Sequence, residues 1–344
     1  MKLCFFSANF VPHHEMLIRE LIENNQAEIH SFYISENFTY VPDDISNLFL
    51  YKKSELSKME ILRKVLQINP LILFVAGYNN KDFLWVSTRV KRLLNIPVIC
   101  GSDTQWRSTL KQRIRILLAP ITIHPAFTHF KVAGIYQYEW ARKLGFKKEK
   151  ILFDMLSGDT KLFSSIDIEV KRKKYPKNFI FIGHFIEIKG IRFLLDAWAK
   201  IDDKKGWTLT LIGDGVLYDQ IQKRDDIIIK CFMNQALLIK ELENAGCHIL
   251  SSTFEQWGLV IHEATCAGLP IICTNICGAA PHFVINGYNG YIIESGNTNQ
   301  LKIAMEKIIN SFETELIRMS YNSRKLSTRI TQEISVASLL SVIK

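Results

Sequence analysis

Apolar and polar positions alternate on two length scales along the chain. Short apolar runs, each read as a buried strand, are separated by longer segments in which apolar residues recur at helical spacing. In the first half this predicts strands at Lys2–Ser7, Ala27–Ile34, Pro70–Ala76, Ile96–Cys100, Thr128–Val132 and Lys150–Phe153. Helices are predicted at Glu15–Glu23, Met59–Gln67, Lys81–Leu94, Thr104–Leu118 and Tyr136–Leu144, with residues 35–58 irregular around a turn at Pro42–Asp44. The segment 166–177 is charged, ends near a proline and reads as a connector. A second series follows, with strands at Asn178–Ile182, Trp207–Ile212, Ile227–Lys230, His248–Ser251 and Ile271–Thr274, near Phe283, and at Tyr291–Ile293. Its helices are predicted at Gly190–Lys200, Leu217–Lys223, Gln235–Ala245 and Trp257–Ala267, and residues 298–344 read as wholly helical. Strand–helix alternation predicts parallel, doubly wound sheets, hence an α/β chain of two Rossmann-like domains with a helical C-terminal tail. The expected division is 1–165, a linker at 166–177, 178–322, and a tail at 323–344 that packs back toward the N-terminal domain.

The chain of 344 residues has room for two domains. A hydrophobic content of 48% with 22% charged residues is that of an ordinary globular protein, and no apolar run is long enough to cross a bilayer. The opening residues read as a first strand, too short for a secretory core and without a cleavage site. Seven scattered cysteines argue for a reducing compartment, and Cys273 and Cys277 without a second pair argue against zinc. The expected location is cytoplasmic or peripheral on the inner membrane face. Residues 1–164 hold 22 Lys and Arg against 15 Asp and Glu, a surplus of seven; the remainder hold 21 against 19. A basic first half suits an anionic neighbour such as acidic lipid, a phosphorylated acceptor or nucleic acid, and equally serves solubility. Trp106–Leu118 mixes cations with apolar residues; it fits an anionic membrane surface or a basic helix packed on the sheet.

Chemistry concentrates in residues 247–270. Glu255 lies in a loop after a strand and Glu263 about two turns into the following helix, with seven residues between them. Gly258 permits close backbone approach, and the amides of Trp257, Gly258, Leu259 and Val260 at the helix start make an anion cradle. Taken alone, the pair is also explained as a cap and a solvated helix glutamate. A second segment carries Gly183 and His184 at a strand end and Lys189 at a helix start, where an ammonium can meet a diphosphate. Gly213, in a Gly-Asp-Gly turn with Asp214, lies at the next strand end, and Cys231 and Phe232 after the one beyond. Phe232 reads equally as core. In the first half His13 and His14 precede a helix, facing a ligand or capping the surface. Asp103 ends a buried strand, either near the reacting centre or as the N-cap of a helix opening at Thr104.

The stretch from Glu255 to Glu263, followed by Ala-Gly-Leu-Pro, resembles the retaining glycosyltransferases of the GT-B group often called family 4, whose signature is a glutamate, seven residues and a second glutamate. Lys189-Gly190 also matches, whereas His184 stands where that family has arginine; the loop Cys277–Pro281 and the run from Gly158 and Asp159 to Phe163 match further positions. The resemblance covers most of residues 178–300 with specific motifs. It implies a GT-B fold, two domains facing across a cleft, and transfer of a sugar from a nucleotide-diphosphate donor to a hydroxyl of a saccharide or lipid-linked glycan. No metal or other cofactor is implied. By the resemblance, Glu255 contacts donor-sugar hydroxyls, Glu263 the ribose, the Trp257–Val260 backbone and Lys189 the phosphates, with His184 assisting. Cys231 and Phe232 sit where the base is held, Asp103 near the acceptor hydroxyl, and His13 and His14 in the loop that touches the donor phosphates, on the acceptor side. Competing readings are a non-catalytic or nucleic-acid-binding protein, favoured only by the loss of the arginine, and a GT-B sugar epimerase. No module of alternating aromatic and basic residues supports nucleic acid.

Overall fold

The computed structural model describes residues 1–8, 12–34, 45–221 and 224–343, with Pro12 and His13 described as backbone only. The chain forms two compact units, Met1–Ser157 with Ile330–Lys344, and Gly158–Arg329.

In the first unit seven described strands run β1 Lys2–Ser7, β2 Glu28–Tyr33, β3 Leu48–Lys52, β4 Ile72–Ala76, β5 Val98–Ser102, β6 His129–Val132 and β7 Ile151–Leu152. They form one parallel sheet in the order β3-β2-β1-β4-β5-β6-β7. Successive side chains of a strand point to opposite faces. Cys4 and Phe6 therefore enter one core, with Val75, Cys100 and Trp140, while Leu3 and Phe5 enter another, with Leu17, Leu21 and Ile99. A sheet covered on both faces explains why its central strands read as unbroken apolar runs. The helix Gln332–Leu340 supplies Val336 and Leu339 to the second of these cores. Lys131 secures it: the buried Nζ donates to the carbonyls of Phe153 (2.9 Å) and Ser335 (3.1 Å). Burial pushes the pKa of that amine down to about 7.

In the second unit β8 Asn178–Ile182, β9 Thr208–Ile212, β10 Ile227–Lys230, β11 Cys247–Leu250, β12 Ile271–Thr274 and β13 Gly290–Ile293 form a parallel sheet ordered β10-β9-β8-β11-β12-β13. Both units are thus Rossmann-like α/β sheets, and the chain ends in helices. Segment 166–177, read above as a connector, lies within the second unit. Its Lys171 is buried and donates to Ala245 O, and its Tyr175 hydroxyl donates to Gly246 O.

Several elements differ from the sequence reading. Leu48–Lys52, expected irregular, is an edge strand carrying exposed Phe49 and Leu50. The helix expected at Thr104–Leu118 runs Leu110–Thr122, because Thr109 supplies the capping hydroxyl to Gln112 N. The helix expected at Leu217–Lys223 is a short 3-10 turn, Tyr218–Gln220; residues 222–223 lie outside the described set. Near Phe283 there is a helical turn, Ala280–Phe283, not a strand; its proline sits at a helix start, where its missing N–H costs nothing. The C-terminal helical region breaks into Thr298–Asn310, Glu313–Ser327 and Gln332–Leu340. Among the described residues no helix is long and apolar enough to cross a membrane.

Candidate functional site

In the second sheet the chain winds outward from β8 through β9 to β10, then returns to place β11 on the other side of β8. The order of winding reverses between β8 and β11, and ligands of open parallel sheets bind at such reversals, outside the carboxyl ends of the strands. The loop after β8 carries Lys189, and the loop after β11 carries Glu255. Sheet topology alone therefore brings together two residues 66 apart in sequence.

They meet directly. Lys189 Nζ donates to Glu255 Oε2 at 2.5 Å, and the Ser252 hydroxyl donates to the same oxygen at 3.2 Å. Both side chains are largely buried, so the pair is poorly screened. The loops that hold them are stitched by backbone bonds, Thr253 N to Ile188 O (2.8 Å), and by the Ser251 hydroxyl donating to Gly190 O (3.0 Å). Gly190 turns the chain at φ +69°, and an added Cβ there would stand 2.0 Å from the Ser251 carbonyl oxygen. Only glycine fits so close an approach.

The helix after Glu255 begins two residues later than expected, running Leu259–Cys266. Gly258 at φ +87° breaks the backbone ahead of it, so Trp257 and Gly258 are not helical. Leu259 and Val260 are left in the first turn, where amides lack an i−4 helical acceptor and the helix dipole is positive. Trp257 is buried against His282 and Phe283 and anchors the loop from below; its backbone carbonyl accepts from Ala279 N.

Glu263 keeps part of its surface exposed, yet its carboxyl lies deep enough that desolvation pushes its pKa up to about 7. A hydrogen bond from the Gln235 side chain opposes that shift, and the charge of Asp159 adds to it. Gly158 packs against it so closely that a Cβ would come within 2.9 Å of Glu263 Cγ. Beside it, His262 was not singled out from the sequence. Its ring is buried, accepts from Gly158 N at Nδ1 (3.0 Å), donates from Nε2 to Ser327 O (3.0 Å), and stacks on Phe283. Those bonds fix one neutral tautomer, and burial holds its pKa near 4. His262 thus braces the face of the helix adjoining Glu263. A histidine next to a candidate glutamate carries no sequence signal for bracing, because both its partners are remote in the chain.

The next strand ends carry the other candidates. His184 Nδ1 lies 2.8 Å from Asp214 Oδ1, and both side chains are exposed. Asp214, read only as part of a turn, is thus the partner that orients His184. Gly183 and Gly213 stand side by side at the ends of β8 and β9, Gly213 close against the Gly183 carbonyl. Cys231 and Phe232 follow β10 and are exposed, Phe232 by 70%, so the core reading of Phe232 is excluded. Glu255, Lys189, His184, Gly183, Gly213, Cys231, Phe232, Trp257 to Val260 and Glu263 all belong to the second unit. Asp103, His13 and His14 belong to the first. Asp103 follows β5 and does not cap a helix, since the next one opens at Leu110. His14 lies half-buried in the helix Pro12–Glu23, and the side chain of His13 lies outside the described residues.

Comparison with known proteins finds similarity concentrated in this part of the chain. Residues 164–326 match the family model described as glycosyl transferases group 1. An uncharacterized glycosyltransferase of Methanocaldococcus jannaschii is 28% identical over 193 residues, 53% of this chain and 52% of that protein. The capsular polysaccharide biosynthesis glycosyltransferase CapM of Staphylococcus aureus is 29% identical over 174 residues, 46% and 45% of the two chains. The chain spans about half the length of the curated relatives it matches. The fold is shared more widely: the Anabaena protein HepE, solved with UDP and glucose, superposes with a TM-score of 0.74 over 99% of both chains at 15% identity. Thus the segment 164–326, which holds the whole switch-point cluster, is similar to the group 1 glycosyl transferases, and the chain shares its fold with HepE.

Proposed function

We propose that the protein is a retaining glycosyltransferase that moves a sugar from a nucleoside diphosphate donor to a hydroxyl of a saccharide or lipid-linked glycan. The observation that carries this reading is the Lys189–Glu255 pair at the point where the winding of the second sheet reverses, next to the start of a helix whose second turn presents Glu263. A diphosphate needs fixed positive charge, sugar and ribose hydroxyls need carboxylate acceptors, and the segment offers both kinds of group. The family match over 164–326 supports the same reading.

In this reading the donor breaks the ion pair. The Lys189 ammonium turns to the diphosphate, the amides of Leu259 and Val260 hold its distal phosphate, and Glu255 accepts from a hydroxyl of the sugar. Glu263 accepts from the ribose, and exposed Phe232 and Cys231 flank the base. The bond from the anomeric carbon to the phosphate oxygen breaks as the acceptor oxygen approaches the same face, and the acceptor proton passes to the departing phosphate oxygen. Positive groups preorganised where that charge develops lower the barrier. No metal is called for, because Lys189 and the amides supply the countercharge, and a protonated His184 adds to it. His184 directs Nδ1 at Asp214, so a neutral ring offers Nε2 only as an acceptor; the imidazolium alone donates there.

The test is thermal shift against a panel of nucleotide sugars, starting from UDP-sugars because HepE was solved with UDP, then product identification with glycan acceptors. A donor at a hundred times its Kd stabilises the protein by about 2.7 kcal/mol. Absence of a shift with every UDP-, GDP- and ADP-sugar rejects the reading; donor breakdown giving a rearranged free sugar without an acceptor establishes the epimerase instead.

A further inference from the structure

The helix Leu110–Thr122 of the first unit stands apart from the others. Of its thirteen residues only Ala119 is buried. Leu110, Leu117 and Ile121 are 73%, 79% and 73% exposed, and Ile114 and Leu118 are exposed as well. At about 100° of rotation per residue these five positions fall within an arc of about 100°. The opposite side, Gln112, Ile116 and Ala119, faces the protein. So the apolar stripe of this helix points away from the molecule, the reverse of an ordinary surface helix. Arg113 borders the stripe on one side and Lys111 on the other, both exposed. Arg107 precedes the helix, and Arg115 lies half-buried on its flank, its guanidinium over the Tyr78 ring. Between Asp103 and Glu139 the sequence contains no acidic residue at all.

We infer that this helix is a docking face for an anionic lipid surface, lying in the plane of the interface with Leu110, Ile114, Leu117, Leu118 and Ile121 among the acyl chains and Lys111 and Arg113 at the headgroups. An apolar stripe of this kind on a water-soluble surface marks an interaction site. Charge chooses the occupant. Two copies meeting through this stripe would bring together two acid-free basic segments, and like charges at an interface repel. A bilayer carrying acidic headgroups satisfies the stripe and both of its cationic borders together. The inference rests on the first unit alone and stands whether or not the donor site in the second is read correctly.

Vesicle co-sedimentation tests it with the full chain. Phosphatidylglycerol-containing vesicles are expected to bind the wild type at least ten-fold more tightly than pure phosphatidylcholine vesicles, and about 0.5 M salt should remove most of that preference. L117E/I121E should lose at least ten-fold in binding while keeping its melting temperature, because both side chains are exposed and support no core. The uncharged L117S/I121S should also lose affinity, which separates lost apolar contact from added repulsion. K111Q/R113Q should lose the preference for acidic lipid and keep residual binding. The inference is overturned if the wild type ignores acidic vesicles, or if L117S/I121S binds them as well as the wild type does. It is also overturned if sedimentation shows a self-associated species that L117E/I121E dissolves, since a second copy would then cover the face.

Discussion

Glu263→Gln separates what the fold needs at this site from what a ligand needs. In the folded protein the Glu263 carboxyl is desolvated and its pKa is raised from an ordinary 4.5 to about 7. The unfolded chain ionises this group near 4.5, so between pH 4.5 and 7 the folded state holds more protons than the unfolded state. Stability therefore falls as pH rises through that window. The difference corresponds to roughly 3 kcal/mol at full ionisation, and the residual solvent access of Glu263 reduces this to about 1–2 kcal/mol. Glutamine is nearly isosteric, retains an oxygen acceptor and never ionises. The expected result is no stability difference at pH 4.5 and a variant more stable than wild type by about 1–2 kcal/mol at pH 8. Urea unfolding followed by tryptophan fluorescence reads this out, Trp198, Trp207 and Trp257 reporting on the second unit. Donor affinity should move the other way, falling ten-fold or more, since an amide accepts less strongly than a carboxylate from two ribose hydroxyls. A stability difference that does not change with pH, or a variant less stable than wild type at pH 8, would refute the desolvation argument.

Three further outcomes are expected. Lys189→Ala should lower kcat by about a hundred-fold or more and also destabilise, because it removes the cation facing the largely buried Glu255 carboxylate; K189M/E255Q should recover much of the stability and none of the activity, read by a double-mutant cycle. Gly190→Ala should cost about 2 kcal/mol or more and abolish donor binding, since Ala at φ +69° is strained and its Cβ meets the Ser251 carbonyl, which displaces Lys189; an unchanged melting temperature would contradict this. His184→Arg should raise kcat/KM, because a guanidinium puts a permanent cation with several donors where the imidazole is tied to Asp214, and steady-state kinetics with a UDP-sugar donor check it.

Local chemistry was legible wherever it was set within a few residues. Apolar runs gave the strands of both sheets except the edge strand Leu48–Lys52, and wrongly suggested one near Phe283, while the spacing of Glu255 and Glu263 marked the candidate segment before any contact was known. Where a helix opens was less legible. Gly258 and Thr109 decided two starts through a backbone angle and a hydroxyl cap, against apolar spacing that fitted earlier positions equally well. Phe232 shows the limit of pattern reading: apolarity left core and ligand contact equally open, and its position just past β10 leaves it in solvent.

The sequence by itself determined the alternation of elements, the α/β class and the residue types able to meet a diphosphate and hydroxyl groups, because these depend on periodicity and side-chain chemistry. Tertiary structure alone decided that Lys189 touches Glu255, that Asp214 orients His184, that His262 braces the helix of Glu263, and that the stripe of Leu110–Ile121 faces outward. Each of these depends on strand order and on which face a helix turns toward the sheet. Those are settled by the packing of the whole core, and a local pattern fits both outcomes equally well.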